Sequence, residues 1–372
     1  MAIKKQHFLY KENYIFKNIF IIFNQMGVKN LFKLITQNAP NSITSKNIKD
    51  YSGKCIVLDA SMIIYQYVIA IRSSGSDLQD NKGNLTSHIL GVLSKAFMLL
   101  KYDIIPIFVF DGKPPEIKYN TIKNRKKIKK KNLEKMESAS EEDKVKYFKR
   151  SFSITKNQTD EAKEILKLFG VPVIEAPSEA DPLCALITKN GNAYGVGSED
   201  MDLLAFGSSN LIRNLSGRKK VIEINLSSIL DEMKLKQDEF IDLCILLGCD
   251  YSNTIPKIGP KRALDIINKH KSIDSFLEND EKVKSEYYKI PEDFNYKEAR
   301  DFFKNPPVKK VNKNELKLKK PKYNKIKEIM VDKYNFKLNQ VNKYMNIIKS
   351  AYNNCSKNMP KQLKRYTVKT EA

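Results

Sequence analysis

Residues 104–111 read IIPIFVFD and residues 55–59 read CIVLD. Each is a short, almost wholly apolar run closed by an aspartate. Continuous apolar runs of this length suit strands buried on both faces, as in a parallel sheet, whereas half-exposed strands alternate. Two further runs, VPVI at 171–174 and AYGV at 193–196, have the same character. Helical stretches lie between them. A helix should begin just after Asp59, and TDEAKEILKLF at 159–169 is amphipathic, with Thr159 as its N-cap and Gly170 ending it. From Met26 onward this rhythm predicts an α/β fold, a mainly parallel central sheet flanked by helices.

In an open α/β sheet the carboxyl ends of the strands line one edge, and ligands bind there. Acidic residues follow each predicted strand: Asp59, Asp111, Glu175, Glu179 and Asp181, then Glu199, Asp200 and Asp202. Asp250 follows the helix QDEFIDLCILL at 237–247. An acidic turn capping the next helix would explain Asp200 and Asp202 by themselves. Seven converging carboxylates, Asp59, Asp111, Glu179, Asp181, Asp200, Asp202 and Asp250, need more, because their repulsion is on the order of several kcal/mol unless cations neutralise it. Three histidines are too few and too dispersed for a zinc site, so oxygen ligands and a hard cation, Mg²⁺ or Mn²⁺, are expected. Two such ions roughly 3.5–4 Å apart suit an in-line displacement at phosphorus.

Composition points toward a polyanion. Lys and Arg number 66 against 43 Asp and Glu, a formal charge of +23. A lysine- and asparagine-rich proteome from an AT-rich genome would also produce such an excess, so charge alone does not name the partner. With 41% apolar residues, the chain can build a sizeable core. Its five cysteines (Cys55, Cys184, Cys244, Cys249, Cys355) form no Cys-x-x-Cys pair and read as reduced thiols of an intracellular protein. No run approaches the roughly 20 apolar residues of a membrane span.

The basic cluster from Lys123 to Lys131 reads as a helix or arch outside the core, and KRALDIINKH at 261–270 forms a helix–loop–helix with 237–247. Beyond Lys271 the chain is lysine- and asparagine-rich, with a last helical region from Tyr323 to Tyr352. The expected regions are an extension (1–25), a first α/β region with the start of the arch (26–130), the rest of the arch (131–158), an internal α/β region with the helix–loop–helix (159–273) and a lysine-rich C-terminal region (274–372).

MGVKNL (26–31), LDASMIIYQYVIAIR (58–72), VFDGKPPEIK (109–118), APSEAD (176–181), SEDMDLLAFGS (198–208) and LLGCDYSNTIPKIGPKRALDIINKHKSI (246–273) together resemble the flap endonuclease family. The resemblance runs in order from Gly27 to about Ile273. It implies a 5′ nuclease, PIN-like fold with a basic helical arch and a helix-two-turn-helix, two Mg²⁺ ions, and cleavage near the base of 5′ flaps with 5′–3′ exonuclease activity, in DNA replication and repair. Position by position it implies Asp59, Asp111, Glu179 and Asp181 around one metal, and Asp200, Asp202 and Asp250 around the other. Lys118 and Arg125 match basic residues that reach the scissile phosphate. Gly27, Tyr65, Arg72, Lys95, Glu179, Gly248, Asp250, Lys261 and Arg262 match DNA-contacting positions, Tyr65 by stacking on a base. A monovalent cation at the helix-two-turn-helix, a branched DNA partner, a monomer, and residence in the nucleus or another site of DNA replication, such as a viral replication compartment, are implied likewise.

Departures from the pattern are local. Asp181 stands where the family has Glu, and Pro182 after it allows a second reading, Asp181 as the cap of a helix opening on that proline. Lys95 replaces Arg, and Lys257 replaces a turn glycine. A 25-residue extension precedes Met26. The tail QLKRY (362–366) is a remnant of a sliding-clamp box and does not by itself assign a clamp partner. The competing readings are a Holliday-junction or excision-repair nuclease of the same superfamily, and a DNA-binding protein without turnover. The short spacer between Lys118 and Thr159 favours the flap enzyme.

Overall fold

A computed structural model describes residues 27–72, 83, 85–137, 147, 153–217 and 219–362. Seven strands form one sheet: β1 (Ile43–Lys46), β2 (Cys55–Asp59), β3 (Ile105–Phe110), β4 (Val173–Glu175), β5 (Gly195–Gly197), β6 (Asn210–Arg213) and β7 (Val221–Asn225). Their spatial order is β1-β7-β6-β5-β2-β3-β4. The five strands from β6 to β4 run parallel, while β7 and β1 close one side antiparallel. The mainly parallel sheet read from the apolar runs is present.

Alternation along the strands feeds two cores. Val57, Ile107, Val109, Ile174 and Val196 pack on one face with the helices Leu31–Asn38, Ala180–Lys189 and Gln237–Leu247. Ile56, Leu58, Phe108 and Phe110 pack on the other with Ala60–Arg72, Ser87–Leu100 and Lys156–Leu168, and the long helix Leu338–Gln362 closes that side. Chain order reverses between β2 and β5, since β3 and β4 lie to one side of β2 and β5 and β6 to the other. That crevice, at the carboxyl ends of the strands, is where open α/β sheets place ligands.

Several boundaries differ from the sequence expectation. The helix at 156–168 is capped by Thr155, whose hydroxyl accepts from Gln158 N–H while the Gln158 side chain accepts from Thr155 N–H. Thr159 lies inside the helix, its hydroxyl donating to the Thr155 carbonyl. The Thr-x-x-Gln spacing of a capping box was present four residues upstream of the expected cap. Helix Ala180–Lys189 has Glu179 at its cap and Asp181 in its first turn, which removes the reading of Asp181 as a cap before Pro182. β1, β6 and β7 and the helix Ser87–Leu100 were not anticipated. The extension 1–25, much of the arch between 138 and 152, and clamp-box residues 363–366 lie outside the described residues.

Phe97 is buried, its ring stacked on Tyr344 at 4.4 Å and edge-on to Phe169 at 5.0 Å. It therefore joins the C-terminal helix to the sheet. Replacing Phe97 with Ala should lower unfolding free energy by roughly 3–5 kcal/mol, as truncation of a buried aromatic does. Urea denaturation followed by circular dichroism would measure it, and a change under 1 kcal/mol would mean that helix Leu338–Gln362 is not packed there.

Candidate active site

Strand register brings the acids to one rim. Asp59 ends β2 opposite Val109, so Asp111 lies two residues farther along the same edge. Phe110 pairs with Glu175, and Val57 with Val196, which carries Ser198 and the acids after it to the level of Asp59. The loop after β4 is drawn onto the loop after β3: Gly112 N–H donates to the Ser178 carbonyl at 2.6 Å, and Asp111 accepts from Ala180 N–H at 2.8 Å. A side chain at Gly112 would collide with the Ala176 and Pro177 carbonyls, so this approach requires glycine.

Asp59, Asp181 and Asp202 each feel the charge of Asp200. Burial first, then the charge of Asp111, holds Asp59 well above the ordinary carboxylate range. Burial followed by Asp200 and Asp59 does the same to Asp181, and burial followed by Asp200 and Asp250 to Asp202. Asp200 is raised by burial, less strongly because it accepts from Asp202 N–H at 2.9 Å. Gly27, with a positive φ of 72°, lies against this group, and any side chain there would strike the Asp200 and Asp202 carboxylates.

The opposite charge comes from the base of the arch. Lys118 Nζ lies 2.5 Å from Glu179 Oε1 and 3.1 Å from Asp250 Oδ2. Burial works against that ammonium, but Glu179 and Asp250 outweigh it and hold the group charged. Arg125, on the helix Tyr119–Glu137, places Nη2 at 2.7 and 2.9 Å from the two Asp250 oxygens. Burial pushes Asp250 up, yet Lys118 and Arg125 hold it below its usual range. Thr121 of the same helix donates to the Asp250 carbonyl at 2.9 Å. Among the described residues, no group of three or more His, Cys, Asp and Glu side chains is gathered closely enough to hold a metal ion as it stands. At Glu179 and Asp250, Lys118 and Arg125 serve as counterions. Nevertheless Asp181 Oδ1 and Asp202 Oδ1 are buried oxygens without a hydrogen-bond partner, and such acceptors on hard oxygen ligands fit a divalent cation.

The remaining expected positions are spread around this rim. Tyr65 is half-buried and within electrostatic reach of Arg125. Gly248 caps its helix with φ 102° and accepts from Lys29 N–H. Lys261 and Arg262 are exposed at the start of helix Pro260–His270, and Arg262 donates to the Lys257 carbonyl at 2.6 Å. Lys257 adopts φ 69°, so the turn keeps the left-handed backbone that a glycine there would favour. Arg72 is buried at the end of its helix. Lys95 turns inward: its ammonium donates to the Leu215 carbonyl, and burial, opposed by Glu199, lowers it to about 8. Glu175 and Glu199 stand apart from the rim acids, paired with Lys163 and Arg213. Sequence reading passed over Tyr251, whose hydroxyl donates to Glu179 Oε2 at 2.7 Å and whose ring lies 5.3 Å from Lys118 Nζ. Its signal was an aromatic residue directly after Asp250.

Known proteins share this arrangement of sequence and fold. The family model described as the XPG N-terminal domain matches residues 26–132, and that of the XPG I-region matches residues 170–250. Flap endonuclease 1 of Nematostella vectensis is 44% identical over 304 residues, 80% of this chain and 80% of its own length. Flap endonuclease 1 of Danio rerio is 44% identical over 291 residues, 76% of each chain. The solved structure of flap endonuclease-1 from Methanococcus jannaschii matches with a TM-score of 0.65 at 29% identity, over 84% of this chain and 96% of that one. The catalytic core of Rad2 in complex with DNA substrate shares the fold, with a TM-score of 0.66 at 23% identity, over 84% of this chain and 98% of that one.

The raised carboxylates have a consequence for stability. With folded pKa values above the unfolded ones, Asp59, Asp181, Asp200 and Asp202 keep more protons in the folded state, so stability declines as pH rises from the ordinary carboxylate range through the raised values. Asp250 runs the opposite way, its contribution present above the unfolded value and lost as pH falls through the depressed one. In chelator, Asp202→Asn should therefore stabilise the protein by about 0.5–2 kcal/mol, more at about pH 8 than at about pH 5. Thermal melts at the two pH values check this, and a variant less stable than the parent at the higher pH contradicts it.

Proposed function

The chain belongs to the flap endonuclease family, and from that premise we propose that the carboxylate rim hydrolyses DNA phosphodiester bonds near the base of 5′ flaps, with accompanying 5′–3′ exonuclease activity. The observation that carries the reading is the seating of Lys118 and Arg125, from the base of a basic helix, directly on Glu179 and Asp250 beside a buried group of aspartates. In this reading Asp59, Asp111, Glu179 and Asp181 would hold one Mg²⁺, Asp200, Asp202 and Asp250 would hold a second, and Mn²⁺ would substitute. Bound there, the ions would lower the pKa of water and stabilise charge on the leaving oxygen.

The chain's own residues do the rest. Lys118 brings a compact charge and Arg125 a planar fork to the non-bridging oxygens of the scissile phosphate, where charge develops. Tyr65 offers a face for a base beside the cut, worth about 1–3 kcal/mol of stacking. Gly27 and Gly248 let the chain pack closely against Asp200 and Asp202 and against Thr254 beside the DNA-facing rim, and Arg72 is the further DNA contact, whereas the inward-turned Lys95 is not one. Exposed N–H groups at the start of helix Pro260–His270, with Lys261 and Arg262, grip duplex phosphates, together with a bridging monovalent cation. The protein acts as a monomer in the nucleus or another compartment of DNA replication. Among the described residues no helix is long and apolar enough to cross a membrane.

A labelled double-flap duplex separates an active enzyme from a DNA-binding protein without turnover. Cleavage is expected with Mg²⁺ and none with chelator, and Asp202→Ala should abolish cutting while binding stays close to that of the parent. Binding without cleavage in Mg²⁺, or full cleavage by the variant, would overturn the assignment. Affinity should also fall roughly 10³–10⁵-fold between about 50 and 200 mM salt if six to ten phosphates are contacted. Fluorescence anisotropy reads that slope, and a flat titration contradicts the docking surface.

A further inference from the structure

The helix Tyr296–Lys304 lies beyond both matched family regions, in the stretch whose sequence reads mainly as lysine-rich. Its apolar side carries Phe302 and Phe303, both buried. They enclose the ring of Tyr251 with centroids at 4.7 and 5.2 Å, and Phe206 completes the cluster at 6.0 Å from Tyr251. Tyr251 is itself 3% exposed. Its one polar atom leaves this aromatic box toward Glu179, donating to Oε2 at 2.7 Å, while Glu179 Oε1 is held by Lys118. Both oxygens of Glu179 are thus specified, one by an arch cation and the other by a phenol.

The seat is fixed at its other end by charge. Arg300, one turn before Phe303, donates through Nε and Nη2 to Asp242 at 2.7 Å each, and its Nη1 lies 2.6 Å from Asp274. Asp242 also accepts from Ile273 N–H at 2.8 Å, and Tyr296 donates to Asp274 at 2.9 Å. The helix is therefore pinned both to Gln237–Leu247, whose end leads into Asp250 and Tyr251, and to Ile273–Asn279, directly after the helix pair. A two-toothed arginine contact of this kind sets orientation as well as energy.

We propose that Tyr251 is a positioning residue for the Glu179 carboxylate, seated by Phe302 and Phe303, so that the helix Tyr296–Lys304 sets the geometry of the rim without touching substrate. This rests on the reading of the rim as the nuclease centre. The phenol cannot be replaced by a ring alone, because a carboxylate that loses its donor is free to rotate toward Lys118. Partners of a metal's ligands usually carry weight of this order: removing one costs about 10–100-fold in metal affinity or activity.

Tyr251→Phe keeps the ring and its packing and removes only the donor. Calorimetric titration of the DNA-free protein with Mn²⁺ should show affinity weakened about 10–100-fold, and kcat on the double-flap duplex should fall by a similar factor. The melting temperature in chelator and the Kd for duplex should match the parent. A second variant, Phe302→Leu with Phe303→Leu, should move Mn²⁺ affinity in the same direction by loosening the seat while the hydroxyl remains. Unchanged Mn²⁺ affinity and kcat in Tyr251→Phe overturns the proposal, as does a lowered melting temperature with metal affinity intact, which marks a merely structural hydroxyl. If the parent protein neither binds Mn²⁺ nor cuts, the nuclease reading and this proposal fall together. If it does both and the variant equals it, only the positioning role falls.

Discussion

Like charges crowded in a poorly solvated place govern this molecule. Asp59 and Asp202 are buried and Asp181 and Asp200 half-buried at a sheet rim, where desolvation and neighbouring carboxylates push their pKa values upward. A protein does not gather carboxylates this way for stability, since each ionised member raises the cost of the next. The arrangement persists because the rest of the fold over-determines it. Both faces of the sheet are packed, so the register that delivers the acids cannot slip, and Gly112 and Gly27 remove the side chains that would hold neighbouring loops away. Strain of this sort, held in place by a rigid scaffold, is the usual signature of a working site.

The topology explains why acids from distant parts of the chain meet. A parallel strand ends at the same edge as its neighbours, so residues that follow β2, β3, β4 and β5 have no choice but to converge. Asp250 arrives by a different route, from the end of the helix Gln237–Leu247, and needs its own restraint. Thr121, Lys118 and Arg125 supply one from the base of the arch. The arch helix is thereby tied to the rim by the same residues that give it chemical purpose.

What could be read in the sequence follows from how local each signal is. β2 and β3 were legible because IVL and PIFVF are apolar without interruption, as doubly buried strands must be. β6 and β7, NLIR and VIEIN, carry polar residues that pair across the sheet, Glu223 with Lys46 and Asn210 with Asn225, and so look like loops until the partners are known. The acids of the site were legible from their place after strands. Their counterions were not, since nothing in the spacing of Lys118 from Glu179, or of Arg125 from Asp250, announces an ion pair. Lys95 shows the converse: a lysine suited to phosphate by type donates instead to the Leu215 carbonyl, a contact that only the fold supplies. Tyr251 and the Phe302–Phe303 pair stayed hidden because their relation is purely spatial.

Asp181 shows how a small change in covalent length is absorbed. One methylene shorter than the glutamate of the family pattern, it reaches less far from its helix, yet it sits in the first turn of Ala180–Lys189, where exposed backbone N–H groups favour a negative charge. The Ala180 N–H at this helix end is taken by Asp111 from the neighbouring strand's loop, not by Asp181. The Oδ1 of Asp181 is left without a donor in a buried place. An acceptor kept dry and unpaired costs about 1–3 kcal/mol unless something occupies it. The first turn thus fixes where the shorter side chain lies, and desolvation and its carboxylate neighbours, not the helix end, set its protonation.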